Sequence, residues 1–571
     1  MEGVGIMEIT GSQAIVKSLI KEGAELIFGY PGGAIMPTYD ALYDVQDQLH
    51  HVLVRHEQGA IHAAVGYARV TGKVGVCIAT SGPGATNLIT GIADALIDSI
   101  PVVCITGQVF STLLGSDAFQ EADIIGISVP ATKWNYQITD ADEIPAVFAK
   151  AFEIARSGKP GPVLIDVTKD AQAGIMKYLE AKPNPKARWL RKALINDSEV
   201  KKAAQIINDA KQPILIVGHG VMISGAENEI MALAEKTNMP VVSTLLGLSA
   251  FPVKHPLYKG MLGMHGNYAA NVLCNQADVV IAVGMRFDDR VTGNLSNYLN
   301  DAKIIHIEVD QAEIDKNVRA EVGILADAKE ALQKLIPHIA EAAYPAWHQV
   351  FGEHHQKEID MVILKETKPK SGQIKMAEAV ALLSQKTNGE AIIVTDVGQH
   401  QMISARYYEF KKTNSHLTSG GLGTMGFALP AAIGAKMGAP DREVIAIAGD
   451  GGFQMNIQEL AVLKQEGVAL KMVILNNGYL GMVRQWQELF FEKRYSFTKI
   501  LSPDFVAVAK GYGLDGRSVS TRQELSSAFD EMLASKEAFL LEITVEQQEN
   551  VFPMVPTGMS ISDTKLSYGE T

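Results

Sequence analysis

At 571 residues the chain has room for three or four domains of ordinary size. Its composition, 47% hydrophobic and 20% charged, is that of a globular protein, and 51 basic against 64 acidic residues leave a net charge of −13. That charge argues against nucleic acid or an anionic membrane surface as the main partner. Three widely spaced cysteines, Cys77, Cys104 and Cys274, fit neither a disulfide framework nor a zinc site. Two of them lie in apolar strand-like runs, as expected of buried thiols in a reducing compartment. No uncharged apolar run approaches the ~20 residues that cross a bilayer. The N-terminus, MEGVGIMEIT, lacks the basic and apolar regions of a leader. A cytoplasmic location is the expectation.

In chain order, residues 1–170 alternate strands and helices, and the pattern predicts an α/β unit with a doubly wound parallel sheet. Predicted strands at 24–29, 52–55, 74–80, 101–106 and 162–166 are each followed by turn residues or a helix start. The first ends in Tyr30-Pro31-Gly32-Gly33, and the second in His56-Glu57-Gln58-Gly59 before a helix of small residues. Residues 171–197 carry Pro183 and Pro185, lose strand periodicity and read as a linker. A second unit, 198–340, places strands at 213–217, 240–243, 279–283 and 303–309. Residues 341–372 are polar and read as helix plus linker. A third unit spans 373–548, and the Gly-, Ser- and Pro-containing tail 549–571 reads as a mobile flap or a disordered end.

The third unit carries the strongest motif. An apolar run at 444–448 ends in Gly449-Asp450-Gly451-Gly452, a helix is predicted over 456–466, and a second apolar run at 470–475 reaches Asn476-Asn477-Gly478. Strand–helix–strand makes the two runs parallel neighbours, so Asp450 and Asn477 emerge together at their carboxyl ends, where open α/β sheets bind ligands. A carboxylate, an amide oxygen and a free carbonyl suit a hard cation that also takes phosphate oxygens. Alone, GDG is no more than a strand-to-helix turn; with the paired Asn 27 residues on, it resembles the diphosphate motif of thiamine diphosphate (ThDP) enzymes. A faint repeat suggests duplication: Ala63-Ala64-Val65-Gly66 precedes a strand ending in SGPG, and Ala431-Ala432-Ile433-Gly434 one ending in GDGG. The first unit lacks the metal-type Asp, which leaves Glu57 as its candidate for chemistry. By itself a Glu opening a helix only complements the helix dipole. ThDP chemistry also needs a partly buried acid that exchanges a proton with the aminopyrimidine.

Together RHEQGA, GYPGGAI, TSGPGATN, GSDAFQE, LGMHG, RFDDRVTGN, VGQHQM and TSGGLGTMGFALPAAIGA are similar to the acetohydroxyacid synthase (acetolactate synthase) catalytic-subunit family, over about residues 8–560. The resemblance implies three Rossmann-like domains binding the pyrimidine, FAD and the diphosphate. It also implies an active site shared between two subunits, so a homodimer or higher oligomer, and a small regulatory subunit. It assigns Asp450, Asn477 and the Tyr479 carbonyl to Mg2+. Gln399, His400, Gly451 and Gly452 fall to the diphosphate, and Gly423 and Met425 to the bent cofactor. Glu57 serves its ring, and Gly33 donates a backbone N–H to the reacting oxygen. For FAD it points to Lys159, Gly218, Gly220, Leu262, Met264, His265, Gly266, Arg286, Asp288, Arg290, Glu308 and Asp327. Lys159 stands where the family usually has Arg, which replaces a planar fork by a point charge. Phe119, Gln120, Lys133 and Trp486 match substrate-channel positions. Phe110-Ser111-Thr112 and the MVPTGMSISD tail depart from the family pattern.

The implied reaction decarboxylates pyruvate and joins the remaining two-carbon unit to a second 2-keto acid, pyruvate or 2-ketobutyrate. Trp486 narrows the acceptor pocket, where one methylene is worth ~1–3 kcal/mol. Two rivals stand beside it: a flavin-dependent pyruvate oxidase of the same fold, and a non-catalytic binding subunit.

Overall fold

A computed structural model describes residues 7–180, 194–567 and 569. Three six-stranded parallel sheets carry the chain. The first runs, edge to edge, His50–Leu53, Leu26–Gly29, Gly75–Ala79, Val102–Gln108, Val163–Thr168, Trp134–Ile138. The third runs His416–Leu417, Ile392–Thr395, Val444–Gly449, Lys471–Asn476, Phe539–Thr544, Asp515–Val519. Counted within each domain, both have the strand order 2-1-3-4-6-5. The middle sheet, from Tyr258–Met261 through Pro213–Val217 to Val322–Leu325, has the order 3-2-1-4-5-6, that of dinucleotide-binding folds. The central strands are runs of β-branched residues buried on both faces, as in VVCITGQ and VVIAV, because helices cover both sides of a parallel sheet.

The first and third domains share one apolar core. It is built where the helix Glu57–Thr71 crosses the helix Ala428–Gly438. A Cβ on Gly66 would run into the Ala431 carbonyl, and one on Gly434 into the Ala63 carbonyl. The repeated AAVG and AAIG are therefore the two halves of one close, reciprocal crossing, not only traces of duplication.

Several segments differ from expectation. Within 171–197, residues Ile175–Tyr178 form a strand antiparallel to Met7–Thr10; Pro183 and Pro185 lie outside the described residues. The helix expected over 456–466 begins earlier, at Asp450, and breaks at Asn456 before a 3-10 turn and the helix Leu460–Glu466. The stretch 341–372 is mostly helix, over Pro345–Glu358 and on to Thr367. Its Trp347 and Phe351 complete the middle domain's core. The tail is no mobile flap. Val551, Met554, Val555, Ile561 and Leu566 are buried, and Val555 N–H donates to Met264 O while Asn294 N–H donates to Met559 O. Apolar residues spaced through a polar stretch are enough to pin it down.

Candidate active site

Asp450 and Asn477 emerge as expected at the carboxyl ends of paired strands, in a register that sets Gly449 against Leu475. Asp450 is buried. Ser502 donates to its Oδ2 at 2.7 Å, while Oδ1 has no partner. Burial raises its pKa, against the pull of the Ser502 hydrogen bond. Asn477 Oδ1 accepts the Tyr479 N–H at 3.0 Å, and its amide group leans on Gln399 Oε1 at 3.3 Å. Above them lies a cavity of about 60 Å³ lined by Gln399, His400, Gly451, Gly452, Asn477 and Tyr479. Glycines keep it open. A Cβ on Gly451 would stand 2.8 Å from Leu480, and one on Gly452 2.6 Å from Asp396 Oδ1. His400 is neutral, since burial lowers its pKa to about 3, and its Nε2 is unpartnered. A neutral imidazole with a free nitrogen, an orphaned carboxylate oxygen and exposed backbone suit a phosphate group bridged by a cation.

The small cavity borders a much larger one, of about 830 Å³, and Val397, Gly398, Met425, Met482 and Val483 line both. Nearly all the residues assigned to FAD meet here: Lys159, Gly220, Leu262, Met264, His265, Arg286, Asp288, Arg290, Glu308 and Asp327. Gly423 and Trp486 line it too. Gly218 and Gly266 do not, but both are tight backbone packing points. His265 Nε2 is buried without a partner. Glu308 accepts from the Val309 and Asp310 N–H groups at 2.9 and 3.2 Å, and burial still carries its pKa to about 7. Asp327 is occupied as a helix cap, accepting from Lys329 N–H, Glu330 N–H and Ser224. Lys159 pairs loosely, at 3.4 Å, with Asp310 and Glu313. Between them the sequence and the fold gather these residues around one cavity of about 830 Å³, with Glu308 and Asp327 in its lining.

The first-domain residues stand elsewhere. Glu57 opens its helix at 9% exposure and its Oε2 accepts from Asn87 at 2.9 Å, yet it lines neither cavity. Gly33 is exposed. Phe119 is 87% exposed beside Gln120, whose φ is +60°. Within one chain these groups do not meet the Asp450 cavity. Lys133 lines neither cavity. Its ammonium donates to the Ile154 and Ser157 carbonyls at a helix end, and burial lowers its pKa to about 8.

Two buried acids escaped the sequence reading. Asp396 accepts N–H groups from Val397, Gly426 and Ala428. Glu459 accepts the Arg55 N–H at 3.1 Å, bringing a third-domain carboxylate to the start of the Glu57 helix. Asp396 had a signal, since it follows a strand just as Asp450 does; Glu459, ending a 3-10 turn, had none.

Residues 9–127, 200–335 and 396–543 match the N-terminal TPP binding, central and C-terminal TPP binding domains of thiamine pyrophosphate enzymes. The acetolactate synthase large subunit of Corynebacterium glutamicum is 45% identical over 570 residues, covering 98% of this chain and 91% of its own. The isozyme 2 large subunit of Escherichia coli is 44% identical, covering 97% and 99%. That of Lactococcus lactis is 43% identical, covering 96% and 95%. With its three domains and its diphosphate-type cavity, the chain belongs to the acetolactate synthase large-subunit family of thiamine pyrophosphate enzymes.

Proposed function

We infer that the protein is a ThDP-dependent transferase that decarboxylates pyruvate and joins the product to a second 2-keto acid. Pyruvate then gives 2-acetolactate and 2-ketobutyrate gives 2-aceto-2-hydroxybutyrate, precursors of branched-chain amino acids. The observation that carries the reading is the unpartnered Asp450 Oδ1 beside Asn477, under a glycine-lined cavity that adjoins a dinucleotide-sized one.

Asp450, Asn477 and the Tyr479 carbonyl would hold Mg2+. Gln399, His400, Gly451 and Gly452 would receive the diphosphate, and the large cavity would take FAD. ThDP, when bound, supplies the electron sink for loss of CO2 and the nucleophilic carbon for ligation. The chain's own work is positioning and proton transfer. Glu57 exchanges a proton with the pyrimidine. Gly33 N–H stabilises negative charge on the reacting oxygen. Met425 wedges between the two cavities that it lines. Trp486, tilted against Phe490 with ring centres 5.0 Å apart, sizes the acceptor pocket.

Because Glu57 and Asp450 lie apart within one chain, the reading requires two chains per site. Exposed apolar side chains support it: Tyr30, Phe110 and Phe119 on the first domain, and Phe491, Phe497 and Leu501 on the third. That the relatives are large subunits supports a small regulatory partner. The seat of Trp486 in the large cavity favours the synthase over a flavin-dependent pyruvate oxidase. Product analysis from mixed pyruvate and 2-ketobutyrate, with and without FAD, tests it. Acetohydroxy acids without steady oxygen uptake are expected. Oxygen or quinone consumption without acetolactate would favour the oxidase, and no CO2 release would favour a binding subunit.

A further inference from the structure

The segment 418–426, TSGGLGTMG, has no regular secondary structure, yet it walls both cavities. Leu422 and Gly423 line the large one and Met425 lines the two. Gly423 sits at φ +73°, a conformation that favours glycine, with Val397 3.9 Å from a would-be Cβ. Thr395, Gln401, Asp396 and Asn456 of its own domain hold the two ends of this strip, and three side chains of the first domain hold its middle.

Asp98 takes two of its amides: Gly420 N–H donates to Oδ2 at 2.9 Å and Gly421 N–H to Oδ1 at 2.8 Å. Asp94 accepts from Ser419 Oγ, and that same hydroxyl accepts the Thr424 N–H at 2.8 Å, pinning both ends of the bend. Arg69 donates to the Thr418 carbonyl at 2.8 Å and the His416 carbonyl at 3.3 Å. All three side chains are buried. Asp94 and Asp98 are four apart on and just past the helix Ile89–Ile97, hence on one face, and Arg69 ends the helix that Glu57 begins. Two carboxylates and one guanidinium buried together, each bonded to the stretch 416–421 of another domain, is a costly arrangement to keep for stability alone.

We propose that Asp94, Asp98 and Arg69 are positioning residues that fix the Gly423–Met425 strip as the wall between the two cofactor cavities. None touches a reacting atom; Asp94 and Arg69 act through the strip, and Asp98 both holds it and lines the large cavity itself. The inference rests on reading that strip as part of the ThDP site. It also gives the Glu57–Thr71 helix two duties, an acid at one end for a neighbouring chain's cofactor and a cation at the other for its own chain's wall.

The test uses the full-length protein and two substitutions. Asp98→Asn keeps size but leaves one acceptor where two amides now bond. Ser419→Ala cuts the Asp94 tie without touching a buried charge, and stands in should Asp98→Asn fail to fold. Hydrogen exchange of the amides of 420–424, measured without cofactors, should quicken at least ~10-fold in either variant, while the helix Ala428–Gly438 keeps its protection. Calorimetric titration with ThDP and Mg2+ should show affinity weakened ~10-fold, as for loss of one hydrogen bond to a charged group. A merely structural role would quicken exchange across both domains and leave the folded protein's affinity unchanged. Exchange confined to wild-type rates together with affinity within twofold would overturn the proposal. Failure of the wild-type protein itself to bind ThDP would instead overturn the reading on which it rests.

Discussion

The first and third domains are built alike and equipped differently. Both have the strand order 2-1-3-4-6-5, and they meet through matching helices whose Gly66 and Gly434 each admit the other's backbone. At the strand ends the likeness stops. The third domain places Asp450 with a free oxygen over a small glycine-lined cavity. The first places Ser81-Gly82-Pro83 at the corresponding strand end, and its acid, Glu57, lies after another strand and bonds to Asn87. On the proposed function, a duplicated frame fixes where ligands sit, while one or two side chains decide whether the spot takes a metal-bound phosphate or a proton-exchanging ring.

Breaking each side of that comparison should give separable defects. The largest is expected from Glu57→Gln: turnover falls about 10²–10⁴-fold, as for loss of a general acid–base, while ThDP titration calorimetry stays near wild type. Asp450→Ala should do the reverse at the first step, cutting Mg2+-dependent ThDP affinity by on the order of 100-fold or more, since even outer-shell changes cost 10–100-fold. Normal turnover in the first variant would mean that another acid serves the ring.

The shared crossing can be stressed without touching chemistry. Gly66→Ala drives a Cβ into the Ala431 carbonyl, an overpacking expected to cost about 1–3 kcal/mol, read from urea unfolding. The smallest effect concerns Glu459, which ties the domains through Arg55. Burial lifts its pKa from 4.5 to about 7. Below pH 4.5 both folded and unfolded forms hold the proton. Between there and about 7 the unfolded chain loses it first, so stability falls as pH rises through that window. Glu459→Gln should flatten that fall, narrowing the change in melting temperature between pH 5 and pH 8 by about 2–4 °C.

How much of this was legible in the sequence depended on whether a signal was local. The buried parallel strands were, because β-branched runs such as 279–283 have no other stable home, and so was the Asp450–Asn477 pair, because strand–helix–strand geometry forces their ends together. Edge strands such as Trp134–Ile138 and Asp515–Val519, half exposed and polar, carry no such pattern. The order of the tail rests on partners some 260–290 residues away, as when Asn271 donates to Thr564 Oγ1 at 3.2 Å. Lys133 matched a motif position, but its ammonium is satisfied by helix-end carbonyls. Glu459 and Asp98 were invisible for the same reason as the tail, since each acts on backbone groups of another domain.

The central claim is that Glu57 of one chain works on the cofactor anchored by Asp450 of another. Co-expressing Glu57→Gln with Asp450→Ala, each inactive alone, puts it to the test directly. In a mixed dimer one site receives both damaged residues and the other receives neither, so random pairing should restore about a quarter of wild-type turnover. A mixture as inactive as its parents, with mixed dimers confirmed by differential tagging, would place the acid and the metal site in the same chain and contradict the account.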